Sequence, residues 1–378
     1  SVKTQGDYKD GYKEGEWVTK FEDGKLQSKG CYKHGEKVGN WIEYYKNGNI
    51  REKISMTDCT YESYFEDGKP RQKGFYRNEK KHGDWTTWNK NGKVIRENHY
   101  EEGSLDGVQK VWTEDGAQLL SSITYKNNMK NGFAQWWLEN GKIDMGGMFV
   151  NDLQDGIWTY YRHDNGKVGN TGKFSQGKKT GHWVWYYADG SVWKEGDYDN
   201  DMKTGKWTFY YENGQKEHEG TFENNLEQGE FTQWFENGRT MTIGYFDKGL
   251  MTGTWTGWYE ENPDQMKYKV EYKNGVNHGT ATYWNEKGKI QSEKNYAYGQ
   301  LHGTSNTYFL NGKLNISGQY DKGKMVGNWQ YFNESGVCER NINFKDERPD
   351  GNWVIRYKEG PLKEECSYKN GERNGNYK

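Results

Sequence analysis

The chain has 378 residues, of which 31% are hydrophobic, 29% are charged and 16% are aromatic. So few aliphatic residues would ordinarily indicate disorder, but 18 Trp, 30 Tyr and 14 Phe, each able to bury roughly 150–250 Å², predict a folded, aromatic-cored chain. The 53 basic and 55 acidic residues balance without a Lys/Arg block, which argues against a nucleic-acid-binding protein.

One sequence unit repeats from near the start of the chain to near its end. It reads Gly-x-Trp-x-x-aromatic-aromatic-x-Asn/Asp-Gly-Lys, then Gly-x-Tyr/Phe-x-x-Gly, and it recurs about every 24 residues. A period in this range indicates a repeat architecture, so we predict about 15 repeats in a single continuous array over residues 1–378. The glycine that opens each unit, here called the lead glycine, falls at Gly15, Gly39, Gly83, Gly107, Gly132, Gly156, Gly181, Gly205, Gly229, Gly253, Gly279, Gly303, Gly327, Gly351 and Gly375.

Each unit predicts a β-hairpin. Residues 207–211 alternate between two faces and are aromatic or β-branched, as in a half-buried strand. Asn213-Gly214 then supplies a turn, and a two-residue turn there would place Trp207 opposite Gly220. The indole can then lie over a strand glycine, which has no side chain of its own to pack.

Neighbouring hairpins must pair with one another, because isolated hairpins are only marginally stable. About thirty strands at roughly 4.8 Å each would form a sheet on the order of 140 Å long, with accumulating twist. The predicted fold class is therefore all-β: an elongated, twisted, single-sheet ribbon of stacked antiparallel hairpins. Two units depart from the pattern, a degenerate one near residues 54–76, with Cys59 at the lead position, and a looser one with an insertion near 253–278.

The units Gly-x-Trp-x-x-Tyr-Tyr-x-x-Gly-Lys and Gly-x-Tyr-x-x-Gly-x-x-x-Gly resemble the MORN (membrane occupation and recognition nexus) repeat, particularly its bacterial variant. The resemblance covers nearly the whole chain. It implies a scaffold or a dimerising or protein-binding module, and MORN arrays have also been proposed to contact lipids. We therefore expect a non-enzymatic scaffold or assembly component that binds protein through an extended repeat surface.

Two rows of side chains are candidate contact sites. One aromatic position per unit points away from the repeat tryptophans, and exposed aromatic rows mark interaction sites. A lysine after the turn would recur along one edge at intervals of roughly 10 Å, where it could meet an anionic surface. The first row, the aromatic stripe, comprises Trp88, Trp112, Trp137, Tyr186, Tyr210, Trp234 and Trp258. The second row, the lysine edge, comprises Lys25, Lys69, Lys93, Lys142, Lys167, Lys289 and Lys313.

Catalytic and metal-binding patterns find little support in the sequence. His82, His278 and His302 each precede a lead glycine, and a repeated turn position is a poor place for a single active site. The acidic residues before the turn glycines fit turn capping and lack the ligand spacing of a calcium loop. The four cysteines have no Cys-x-x-Cys spacing, which argues against a zinc site or a redox pair. We predict free thiols, no catalytic or metal residues, no cofactor and no enzymatic activity.

The sequence leaves three ligand classes open. A protein partner is favoured, and a glycan is the alternative, since aromatic hairpin arrays also resemble the choline- or glucan-binding repeats of bacterial surface proteins. An anionic lipid surface at the lysine edge is the third. The chain starts and stops inside repeats, so open sheet edges predict end-to-end self-association. We expect no transmembrane segment, and the composition favours a periplasmic or cell-surface protein over a cytoplasmic one.

Overall fold

The structure is a computed structural model that describes residues 3–378. The chain divides into two compact units, which meet in sequence at Gly190 and Ser191 and are described one at a time. Within the described residues all regular secondary structure is β-strand, and the strands pair in antiparallel orientation. The predicted all-β class of stacked antiparallel hairpins is confirmed. The single continuous array remains a prediction.

Strands cover most of both units. The strands of unit 1 are β1 (Lys3–Lys9), β2 (Tyr12–Lys20), β3 (Leu26–Lys33), β4 (Glu36–Tyr44), β5 (Ile50–Ser55), β6 (Thr60–Tyr64), β7 (Pro70–Arg77), β8 (Lys80–Trp88), β9 (Val94–Glu101), β10 (Ser104–Leu105), β11 (Gly107–Trp112), β12 (Leu119–Lys126), β13 (Met129–Trp137), β14 (Ile143–Val150), β15 (Leu153–Tyr161), β16 (Val168–Ser175) and β17 (Lys178–Tyr186). The strands of unit 2 are β18 (Val192–Asp199), β19 (Met202–Tyr210), β20 (Lys216–Glu223), β21 (Leu226–Trp234), β22 (Thr240–Asp247), β23 (Leu250–Trp258), β24 (Met266–Lys273), β25 (Val276–Trp284), β26 (Ile290–Ala297), β27 (Gln300–Tyr308), β28 (Leu314–Asp321), β29 (Lys324–Phe332), β30 (Cys338–Lys345), β31 (Arg348–Arg356), β32 (Leu362–Lys369) and β33 (Glu372–Arg373).

The turn inside a repeat is one residue longer than predicted. The Tyr211 N–H donates to the Gln215 carbonyl at 2.8 Å, so the turn encloses three residues rather than two. A β-bulge beside it leaves Glu217 without a paired residue on β19. The longer turn and the bulge compensate for each other. Trp207 therefore pairs with Gly220, as the sequence predicted.

Successive repeats are joined by two-residue turns. Asn224 and Asn225 have φ values of +51° and +69°, as both central residues of a type I′ turn require. The lead glycine lies in a second bulge: Gly205 has a φ of +63°, and the pairing of β18 with β19 shifts beside it. A glycine opens most repeats because this left-handed backbone disfavours a side chain, although Cys59 at the lead position of the degenerate unit also has a positive φ, of +55°.

Gly205→Ala is expected to lower the free energy of unfolding by about 1–2 kcal/mol, because an L-residue is strained at the positive φ of the bulge. Gly205→Asn should be milder, since asparagine tolerates left-handed backbone better. Urea unfolding of the two variants and the wild type measures both effects. Three equal stabilities would show that the bulge places no demand on this residue.

The core of each unit is built from indoles that lie on glycines. The Trp183 side chain is 1% exposed, and a Cβ added at Gly172 would lie 2.1 Å from its Cδ2 atom. The Trp183 Nε1–H donates to the Lys173 carbonyl at 3.0 Å. The predicted stacking of indole on glycine is right in kind, but the ring covers the glycine of the preceding repeat rather than that of its own hairpin. The same arrangement joins Gly6 to Trp17, Gly30 to Trp41, Gly74 to Trp85, Gly147 to Trp158, Gly196 to Trp207, Gly244 to Trp255 and Gly318 to Trp329.

The size of the ring is matched to the residue beneath it. Where β12 carries Ile123 instead of glycine, β13 carries Ala134 opposite it. Val270 and Ala281 repeat this exchange on β24 and β25. Both alanines are 0% exposed, so an alanine on isoleucine or valine excludes solvent from the core as a tryptophan on glycine does. Neighbouring repeats therefore fit together by complementary volume, as close-packed interiors require.

Candidate functional site

The aromatic stripe lies on the face opposite the buried indoles, since its members are an odd number of strand positions from them. All seven side chains are half-buried. The Tyr210 hydroxyl donates to Glu195 Oε1 at 2.7 Å, and the Tyr308 hydroxyl donates to Glu293 Oε2 at 2.7 Å. Carboxylates of the neighbouring strand thus hold these phenols against the sheet. Each member is the last residue of its strand: Trp88, Trp112, Trp137, Tyr186, Tyr210, Trp234 and Trp258 end β8, β11, β13, β17, β19, β21 and β23.

Burial and the bond to the Glu195 carboxylate raise the pKa of Tyr210 to about 12. A phenol whose pKa rises on folding stabilises the fold fully below its unfolded value of 10.0, and this contribution is lost as the pH rises through the folded value. The ultraviolet difference titration of the wild type against Tyr210→Phe should therefore show one phenol that ionises near pH 12. A difference that titrates near the ordinary tyrosine value would contradict this bond.

The lysine edge lies at the turns inside the repeats, where it joins each turn to the next. Five of the seven lysines donate from Nζ to a carbonyl of the following turn, such as Lys167 to the Asp189 oxygen at 2.6 Å. The aliphatic stems of Lys93 and Lys289 lie against the next turn glycine. The sequence did not indicate this joining role. Contact with an anionic surface stays a prediction. The five donors are Lys25, Lys69, Lys142, Lys167 and Lys313.

One row of unit 1 carries exposed apolar side chains on the face opposite the indoles. Phe133 on β13 pairs directly with Met148 on β14, and the two are 52% and 42% exposed. Val108 on β11 and Ile157 on β15 lie further along the row, at 44% and 61% exposure, and Thr124 of β12 lies between Val108 and Phe133. With strands about 4.8 Å apart, the row spans about 19 Å. These four residues are called the apolar row.

The equivalent positions elsewhere carry mainly polar pairs. On β8 and β9, Asp84 pairs with His99, with 2.7 Å between Oδ1 and Nδ1. In unit 2, Thr280 pairs with Asn295, with 3.2 Å between Oγ1 and Oδ1. Isolated apolar side chains such as Tyr245 occur at these positions, but not four in close succession. The sequence analysis missed the row, whose signal is an apolar residue directly after the lead glycine in three successive repeats.

Charged residues border the apolar row at both ends. A cleft of about 640 Å³ adjoins Val108, and in it the Lys110 ammonium lies 3.6 Å from the Glu97 carboxylate. At the other end, Ile157 pairs with Lys173 on β16. An apolar centre with a charged rim is the usual anatomy of a protein–protein contact.

No group of three or more His, Cys, Asp or Glu side chains within residues 3–378 could hold a metal ion. The histidines that meet carboxylates do so one at a time: His163 Nε2 lies 2.7 Å from Asp144 Oδ1, and His302 Nδ1 lies 3.2 Å from Asp321 Oδ1. All four cysteines are free thiols, and Cys366 is buried. The two pairs lie in different repeats.

None of the described residues forms a helix long and apolar enough to cross a membrane.

Comparison with protein families identifies the repeat. The family described as MORN repeat variant matches eight segments of the chain. The hairpins within residues 103–178 and 225–276 lie outside these segments, although they share the strand pattern. The matched segments are residues 13–34, 37–58, 60–78, 81–102, 179–200, 203–224, 277–298 and 301–322.

Solved toxin structures show a remote likeness to the chain. The TcdB2–TccC3–Cdc42 structure is 10% identical over 94% of this chain and 23% of its own, with a TM-score of 0.16. The Tc holotoxin pore of Photorhabdus luminescens is 10% identical over 96% of this chain and 24% of its own, with a TM-score of 0.15. TcdB2–TccC3 without its hypervariable C-terminal region is 11% identical over 97% and 24%, with a TM-score of 0.18. This chain thus spans about a quarter of their length, and likenesses this weak support no inference. No curated protein matches the chain.

Proposed function

This chain belongs to the MORN variant repeat proteins, and on that premise we propose that it is a non-enzymatic scaffold that binds a protein partner. The apolar row carries the proposal. Four exposed apolar side chains lie on β11, β13, β14 and β15, with Thr124 of β12 between the first two, at positions where other repeats place hydrogen-bonded polar pairs. A contiguous exposed apolar patch with a polar rim marks an interaction site in soluble proteins.

The repeat frame supports such a surface because it holds the row in place before binding. Phe133 and Met148 stand on paired central strands whose opposite face is packed with buried side chains such as Ala134 and Trp158. A surface ordered in advance loses little conformational entropy on binding. Trp137 lies on the same face of β13, four residues and thus about 13 Å from Phe133. A partner seated on the row would therefore extend towards the aromatic stripe.

Affinity capture with the full chain as bait tests the proposal. The row variant replaces three apolar side chains by residues that other repeats carry at the equivalent positions, so the fold should be kept. The wild type is expected to retain a protein at saturable stoichiometry, and the row variant is expected to lose it. The row variant carries Phe133→Thr, Met148→Gln and Ile157→Thr.

A control variant removes three apolar side chains of similar exposure from the turns between repeats, where they pack near turn glycines. It should capture the same protein as the wild type. Equal capture by the row variant, or capture of no protein while anionic vesicles or a glucan resin bind the wild type, would overturn the proposal. The control variant carries Leu226→Thr, Leu250→Thr and Val276→Thr.

A further inference from the structure

One repeat of unit 2 keeps the glycine of the core but lacks the indole that covers it. Phe231 on β21 stands where eight of the other repeats place the stacked tryptophan, and it pairs with Gly220. A Cβ added at Gly220 would lie 3.4 Å from the phenyl ring, against 2.3 Å between Gly196 and the Trp207 indole. The smaller ring therefore leaves the glycine partly uncovered.

The space left by the missing ring is a cavity of about 270 Å³. Four phenylalanines and His218 form its aromatic part, in which the His218 imidazole stacks on Phe209 with 4.0 Å between ring centroids, and polar residues such as Gln228 and Glu230 line the remainder. An apolar protein cavity of roughly 150 Å³ is already large enough to bind benzene. This one has room for a bicyclic ring. The main lining side chains are Lys203, Phe209, His218, Phe222, Phe231 and Phe246.

The cavity is lined by the residue whose carbonyl group, at the equivalent position elsewhere, accepts an indole N–H. In the preceding repeat the Trp207 Nε1–H donates to the Asp197 carbonyl at 3.1 Å. The equivalent carbonyl belongs to Thr221, which lines the cavity. The Phe231 side chain has no N–H group that could donate to this carbonyl. A ligand with a ring N–H could make the bond that the repeat has lost.

The rim of the cavity has changed as well. In the preceding repeat the Lys203 ammonium lies over the Trp207 indole, 4.6 Å from the ring centroid. The same position in the repeat of Phe231 is Glu227, and its side chain lines the cavity. A carboxylate attracts an N–H donor, whereas in five other repeats a lysine at this position caps the repeat's own indole.

We propose that this cavity binds a planar bicyclic aromatic molecule with a ring N–H, of the indole class, in the position of the absent tryptophan ring. The repeats themselves show which group fits, since an indole fills the equivalent space above Gly196 and Gly244. The site is independent of the proposed protein binding. It lies on the indole face of unit 2, whereas the apolar row lies on the opposite face of unit 1.

Fluorine NMR with 5-fluoroindole and the full chain tests the site. The wild type is expected to bind one equivalent saturably. Phe231→Trp places the chain's own indole in the cavity, so its affinity for 5-fluoroindole should fall at least tenfold while its melting temperature does not fall. Glu227→Lys, which restores the cap of the other repeats, should weaken binding in the same direction.

Phe332→Trp is the matched control, because it makes the same substitution at a half-buried position on the opposite face of unit 2. It should bind 5-fluoroindole as the wild type does. No saturable binding by the wild type at millimolar ligand, or unchanged binding by Phe231→Trp, would overturn the proposal.

Discussion

Replacement of Trp158 by alanine is expected to lower the free energy of unfolding by about 3–5 kcal/mol, the usual range for loss of a large buried aromatic side chain. Trp158 is 1% exposed, its ring covers Gly147, and its Nε1–H donates to the Met148 carbonyl at 3.0 Å. The substitution removes this packing and this bond at the junction of two repeats. Urea unfolding followed by circular dichroism measures the loss.

A second substitution should restore part of that stability. Gly147→Ile combined with Trp158→Ala recreates the Ile123–Ala134 combination of the preceding repeat. Gly147→Ile alone should destabilise strongly, since its Cβ would lie 2.4 Å from the Trp158 ring. The two changes should therefore couple favourably by roughly 1–3 kcal/mol in a double-mutant cycle. Additive effects would contradict the matching of ring size to the residue beneath.

Trp353 shows the consequence of a mismatch within the chain. It pairs with Ile342 rather than with a glycine. Its ring plane makes an angle of 44° with Tyr368, whereas Trp329, which lies on a glycine, stands at 83° to Phe344 at the equivalent position. Within the described residues the Trp353 Nε1 is buried without a hydrogen-bond partner. The Trp17 Nε1 also lacks a partner among these residues although its ring lies on Gly6, so the tilt of the ring, rather than the missing bond, distinguishes Trp353.

The row variant is expected to bind the captured partner at least about 100-fold more weakly than the wild type, on the order of 3 kcal/mol. The reason is that Phe133, Met148 and Ile157 form the centre of the proposed contact, where a few apolar side chains supply most of the affinity. Titration calorimetry with the purified partner measures the change. The control variant should stay within about threefold of the wild type. Losses of equal size in the two variants would assign the effect to stability rather than to the row.

The repeat and its hairpins were predictable because they depend on local sequence. The pairing of Trp207 with Gly220 was also predictable, but through two compensating errors: a three-residue turn replaces the two-residue turn, and the bulge at Glu217 restores the register. The choice of glycine beneath each indole was not predictable. Trp207 has Gly196 before it and Gly220 after it, and only the bulge at the lead glycine selects the first.

The candidate sites were harder to predict because each results from substitutions at single repeat positions that leave the hairpin pattern intact. The apolar row and Phe231 fall between segments matched by the family, whereas part of the cavity lining lies in the matched segment 203–224. In a single sequence, a substitution that creates a binding surface cannot be distinguished from a neutral change in one repeat. The strand register distinguishes them, because it shows that Phe133 and Met148 are neighbours and that Phe231 leaves Gly220 uncovered. Places where a repeat breaks its own rule are candidates for function.

Site-specific photo-crosslinking tests most directly whether the apolar row binds the partner. p-Benzoylphenylalanine is incorporated in place of Phe133 in one bait and in place of Leu250, an apolar side chain of 48% exposure in a turn region, in another. The scaffold proposal predicts that the captured protein crosslinks to position 133 and not to position 250. Crosslinking from position 250 alone, or from neither position while the protein is still captured, would contradict it.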